Sequence, residues 1–97
     1  MDRISIKEFA KDKGFVQINK TIRANVNGFP YVTFINAKNE SENIYFSKGG
    51  AEEVKAGDNF TDVASKFDIT FATNAEGVTL PKLCRKGGDR VSIDDII

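Results

Sequence analysis

The sequence predicts a single α+β domain over residues 1–97, mainly an antiparallel β-sheet of about five to six strands, with one or two short helices between strands three and four. Three observations predict it. Apolar and polar residues alternate over residues 15–26 with the period of a half-buried strand. Further runs rich in β-branched and aromatic residues follow, each bounded by Asn and Gly. Between the third and fourth runs the alternation stops and Gly49, Gly50 and Gly57 punctuate helix-forming residues. A length of 97 residues and an apolar fraction of 40% suit one folded domain.

Residues 1–13 read as a short helix capped by Ser5, with Ile6, Phe9 and Ala10 at helical spacing and Gly14 as its stop; the alternative is an arm that orders on a partner. Residues 14–48 read as a three-stranded meander. In its first strand, Val16, Ile18, Ile22, Ala24 and Val26 point inward, and Gln17, Asn19, Thr21, Arg23 and Asn25 outward. Asn27-Gly28 predicts a hairpin turn, residues 31–36 the second strand, residues 37–42 a polar turn and residues 43–48 the third strand. Residues 49–66 form the helical segment, with one helix over residues 51–56 and a second, capped by Asp58 or Thr61, ending at Lys66. Residues 67–97 form a C-terminal hairpin and tail: strands over 67–73 and 78–84, with Pro81 arguing for an edge position or an irregular path, and a last strand or loose tail over 90–97. Eight phenylalanines, Phe9, Phe15, Phe29, Phe34, Phe46, Phe60, Phe67 and Phe71, supply the core. Asn36-Ala37 and Lys48-Gly49-Gly50 recur as Asn74-Ala75 and Lys86-Gly87-Gly88, an echo read as the common residues of turns rather than a duplication.

The inventory excludes much chemistry. There is no histidine, so Ser-His-Asp and Cys-His catalysis and imidazole metal ligation are absent. Cys84 is the sole cysteine and reads as a half-buried apolar residue. The pairs Glu52-Glu53 and Asp94-Asp95 are sequence neighbours whose side chains diverge, so neither is an acid/base pair. No enzyme, metal or cofactor is expected. No disulfide, signal peptide or transmembrane span is read, and the expected location is the cytoplasm.

What the sequence offers instead is a surface. The net charge is zero, but residues 1–48 carry a net charge of +3 and residues 49–97 a net charge of −3. With Val32, Phe34, Ile44 and Phe46 inward, Tyr31, Thr33, Ile35, Tyr45 and Ser47 face out beside the polar side of the first strand. Aromatic rings for stacking, amides for adaptable hydrogen bonds and cations for phosphate are what single-stranded DNA or RNA binding requires. The residues assigned are Tyr31 and Tyr45 for stacking, Lys20, Arg23 and Lys48 for phosphates, and Gln17, Asn19 and Asn25 for hydrogen bonds. Lys82, Arg85, Lys86 and Arg90 make a second basic cluster, read as a phosphate clamp or a solvated loop. Backbone N–H groups after Lys48-Gly49-Gly50 are a further phosphate candidate of low specificity.

The order long strand, strand, strand, then helix after Lys48-Gly49, over residues 15–56, resembles the positive-cofactor-four transcriptional coactivators and the related Whirly proteins. That resemblance implies a single-stranded DNA-binding protein with a curved antiparallel sheet, a homodimer or higher homo-oligomer. The chain departs from that pattern where Gly57-Asp58-Asn59 interrupts what is a long helix in those families. Ser92-Ile93-Asp94-Asp95-Ile96-Ile97 looks like the acidic–hydrophobic tips with which bacterial single-stranded DNA-binding proteins recruit partners; a docked edge strand is the other reading. The leading expectation is a small single-stranded nucleic-acid-binding protein of phage-like compactness. The alternative is a non-enzymatic protein-interaction or assembly module whose sheet face or edge meets a partner or a second copy.

Overall fold

The computed structural model describes residues 3–85. The chain runs β1 (Arg3–Ile4), α1 (Ile6–Lys13), β2 (Phe15–Ile18), β3 (Arg23–Ala24), β4 (Pro30–Asn36), β5 (Ser41–Phe46), α2 (Lys48–Ala51), α3 (Phe60–Val63) with a 3-10 turn at Ala64–Lys66, β6 (Phe67–Thr73) and β7 (Thr79–Arg85). The seven strands make one mixed sheet, curled into a half-barrel, in the order β1-β6-β7-β5-β4-β2, with β3 also on β4.

The helix expected near the N-terminus forms as the residues dictate. The Ser5 hydroxyl accepts from the Glu8 N–H, and Gly14 closes α1 at φ 77° with its N–H on the last carbonyls. Ile6 and Phe9 bury one face of α1. Ahead of it, Arg3 and Ile4 pair antiparallel with Thr70 and Ile69, a two-residue strand that the sequence did not announce.

The long first strand is not continuous. The register against β4 shifts between Phe15 and Gln17, a bulge that turns both Phe15 and Ile18 toward the core and leaves Val16 70% exposed. After Asn19, whose N–H donates to Thr33 O, the chain leaves β4 and loops onto residues 57–60. Ile22 donates to Asp58 O, Gly57 donates to Ile22 O, and Phe60 donates to Lys20 O. This docking buries Ile22, as its apolar character demands, and the strand resumes only as Arg23–Ala24. Val26, expected inward, lies in the hairpin turn and is fully exposed.

Two further expectations are corrected. The sheet is not wholly antiparallel: β7, not β6, sits beside β5, and β7 returns in the direction of β5, so Tyr45↔Lys82 and Phe46↔Leu83 pair parallel. Hence β7 is interior rather than an edge. Leu83 O accepts from Ser47 N–H, so Leu83 and the residues in phase with it turn their backbone polar groups toward β5. Pro81 has no N–H to offer there, and pairing with β5 begins only at Lys82. The helices between β5 and β6 are also shorter and displaced from the expected spans. α2 begins at Lys48 and ends at Ala51, and α3 is capped by the Asn59 carboxamide, which accepts from Thr61 N–H.

The core joins Phe9, Phe34 and Phe15 near one end to Phe46, Phe60 and Phe67 near α3, with Val32, Ile44, Ile69 and Leu83 between them. Three of the eight phenylalanines do not join it fully: Phe15 is half-buried against it, Phe29 is 58% exposed and Phe71 40%.

Candidate nucleic-acid interface

The strand registers align one row of side chains across the sheet. Arg23 lies opposite Tyr31, Tyr31 opposite Tyr45, Tyr45 beside Lys82, Lys82 opposite Thr70, and Thr70 opposite Arg3. Residues opposed in neighbouring strands share a face. Val32, Phe34, Ile44 and Phe46 point to the core, so this row occupies the face away from it. The Tyr31 and Tyr45 rings lie 5.2 Å apart between centroids, tilted by 47°. Lys82 Nζ sits 5.4 Å from the Tyr45 centroid, a cation–π contact worth ~0.5–1 kcal/mol where water reaches it. Along the next step of β4 and β5, Thr33 donates its hydroxyl to the Asn43 carboxamide at 2.9 Å.

Beside this row opens a cleft of about 660 Å³, lined by Asn25, Phe29, Tyr45, Lys48, Ala72 and Lys82 among others. Its size falls within the ~300–1,000 Å³ of small-ligand clefts. Two lysines and two aromatic rings on one concave surface can hold an anionic chain with planar groups. Lys48 lines this cleft, and the glycines after it are placed for packing. α2 is a single turn, and Gly50 is buried because a Cβ there would meet the Phe67 ring at 3.0 Å.

The other expected residues are dispersed. Gln17, Asn19 and Lys20 line a different groove, between α1, β2 and α3. The Asn19 carboxamide accepts from Thr21 N–H, and that of Asn25 accepts from Asn27 and Phe29 N–H, so both oxygens serve the local backbone. Lys82 and Arg85 are three residues apart on a strand and so point to opposite faces. Arg85 turns to the helical side and pairs with Glu53 at 3.3 Å. Lys86 and Arg90, the remainder of that basic cluster, and the acidic residues 92–97 lie outside the described residues.

Sequence reasoning missed Phe29, placed with the core, and missed that Lys82 joins Tyr45. Phe29 carried a signal: it sits between a turn glycine and a proline, where no strand alternation assigns it an inward place. Lys82 carried none, because its neighbour depends on which strand lies beside β5.

Cys84 is buried opposite Asp68 in β7, and burial pushes its thiol pKa up, so it is held as the poorly nucleophilic thiol. Among the described residues no cluster of His, Cys, Asp or Glu is placed to hold a metal ion, and no helix is long and apolar enough to cross a membrane. Comparison with protein-family models, curated proteins and solved structures gives no match.

Proposed function

We propose that the protein binds single-stranded nucleic acid across the sheet face that carries Tyr31 and Tyr45. One observation supports this reading above the others: the Arg23–Tyr31–Tyr45–Lys82 row, in which two rings are flanked by cations on adjacent strands. Bases stack on the rings and on Phe29 at the cleft, while Arg23, Lys48 and Lys82 meet phosphates. Lys82 leaves the Tyr45 ring for a phosphate as a base takes its place. A duplex keeps its bases stacked on one another and has none to offer.

The test is fluorescence anisotropy of a labelled oligo-dT titrated with protein at roughly 50 and 200 mM salt, with duplex as competitor. The expected result is binding that weakens with salt and resists duplex. Each stacked base contributes ~1–3 kcal/mol, so Tyr45→Ala weakens binding about fivefold or more, and Tyr31→Ala does likewise. Lys82→Ala weakens binding and also lowers the salt slope by about one. Unchanged affinity in both tyrosine variants excludes this face. Flat anisotropy leaves the row as a protein interface, whose association salt would barely affect.

A further inference from the structure

A second groove, on another side of the molecule, has the chemistry of a peptide site. It lies between α1, β2 and α3 and has a volume of about 470 Å³. β2 ends the sheet order and has β4 as its only strand neighbour among the described residues. An edge strand directs alternate backbone N–H and C=O groups away from its sheet, ready for another strand. Further along the same edge this requirement is met internally, because residues 20–22 bond to residues 57–60. Among the described residues none covers residues 15–18 in that way, and the groove runs beside them.

The walls select the occupant. Lys7 and Lys11 of α1 and Lys20 of the loop line the groove, no carboxylate does, and none of the three is in an ion pair among the described residues. The floor is apolar, with Val16, Ile18 and Phe60. Val16 is a β-branched residue, 70% exposed, on an open edge strand. Nucleic acid would meet the lysines but has no backbone donors and acceptors in strand register for the edge. An extended peptide meets all three features.

We propose that this groove binds an extended acidic–apolar peptide segment of a partner protein, added antiparallel or parallel to β2 as a further strand. Its aliphatic side chains lie on the exposed Val16, and its carboxylates face Lys7, Lys11 and Lys20. The complementary charges set partner choice and raise the association rate.

The probe is a fluorescein-labelled synthetic peptide alternating isoleucine and aspartate, titrated into the full chain, with an isoleucine–lysine peptide of equal length as control. Saturable binding of the acidic peptide alone is expected. Lys7→Glu combined with Lys11→Glu weakens it roughly tenfold, and Val16→Asp, at an exposed position, does so without loss of fold. Hydrogen exchange separates strand addition from simple charge attraction: bound peptide slows exchange at the amides of β2 that point away from β4, Ile18 among them, since its neighbour Asn19 donates to Thr33 O. No binding near ~1 mM peptide, or binding without that slowing, overturns the proposal. So does protection of those outward amides in the free protein equal to that of β4, which would mean the edge is already covered. Protection by oligo-dT in place of the peptide would assign the groove to nucleic acid and overturn it too. The tyrosine variants leave this binding unchanged, so its outcome is separate from that of the sheet face.

Discussion

At Asn25, Asn36 and Asn74 the chain reverses in one way. In each case the carboxamide oxygen accepts the N–H groups two and four residues on, and the backbone N–H donates to the carbonyl four residues on. The residue three positions on adopts the left-handed region: Gly28 at φ 83°, Asn39 at φ 65° and Gly77 at φ 81°. This is a turn followed by a left-handed residue, the three-residue hairpin loop. It explains the echo between Asn36-Ala37 and Asn74-Ala75 as shared turn chemistry, and it shows why Asn27-Gly28 was readable as a turn while its key residue, Asn25, was read as a ligand. Two consequences are measurable by urea unfolding at constant slope. Asn74→Ala removes two acceptor bonds at an exposed site and destabilises by about 1–2 kcal/mol, while Asn74→Asp keeps the acceptor and recovers most of that. Asn39→Gly relieves a left-handed non-glycine residue and stabilises by up to about 1 kcal/mol, while Asn39→Ala moves the other way.

At the scale of elements, the adjacent glycines of α2 have opposite requirements. A Cβ on Gly50 meets the Phe67 ring at 3.0 Å and the Leu83 carbonyl at 3.3 Å; a Cβ on Gly49 meets nothing within 4 Å. Neither has a positive φ. Gly50→Ala therefore forces α2 off β7 and costs about 1–3 kcal/mol, whereas Gly49→Ala in a helical turn is neutral or stabilising by up to ~1 kcal/mol. A shift of the urea midpoint in Gly49→Ala as large as in Gly50→Ala would show that α2 is not packed this way. The same pair marks a limit of legibility. Composition made Lys48-Gly49-Gly50 a phosphate candidate, and only the distance to Phe67 reveals a packing role. Alternation found β4, β5, β6 and β7 to within a residue or two, because each is rich in β-branched, aromatic or aliphatic residues between turn signals, even though β6 and β7 also bury Thr70 and Cys84 beside Ile69 and Leu83. It failed in residues 15–26, where a bulge reverses the phase at Val16 and a loop carries Ile22 into the core from outside β4. Period two cannot reveal an inserted residue when apolar side chains lie on both sides of it.

For the molecule as a whole, the sequence located strands but not neighbours. The candidate row depends on β7 lying beside β5, a long-range choice that leaves no local pattern, and so the Tyr31–Tyr45 pair was legible while its link to Lys82 was not. That same placement puts Cys84 in an interior strand, 7% exposed, and makes it a reporter on the integrity of the sheet. Burial raises its pKa first, and the carboxylate of Asp68 adds to this, while Arg3 opposes it. The folded state thus favours the neutral thiol more than the unfolded chain does. The stabilisation linked to Cys84 is full below the ordinary thiol pKa and is lost as pH rises through the elevated one. A disulfide exchange reagent at neutral pH should therefore react with the native protein at least about a thousandfold more slowly than with protein in urea, through openings that separate β7 from its neighbours. The native rate should rise in Gly50→Ala, which loosens α2 from β7, and it reports on the outer face as well, because Cys84 is two residues from Lys82 and shares its side of β7. Prompt native labelling would mean that β7 is not held between β5 and β6, and the Tyr45–Lys82 contact on which the nucleic-acid face relies would go with it.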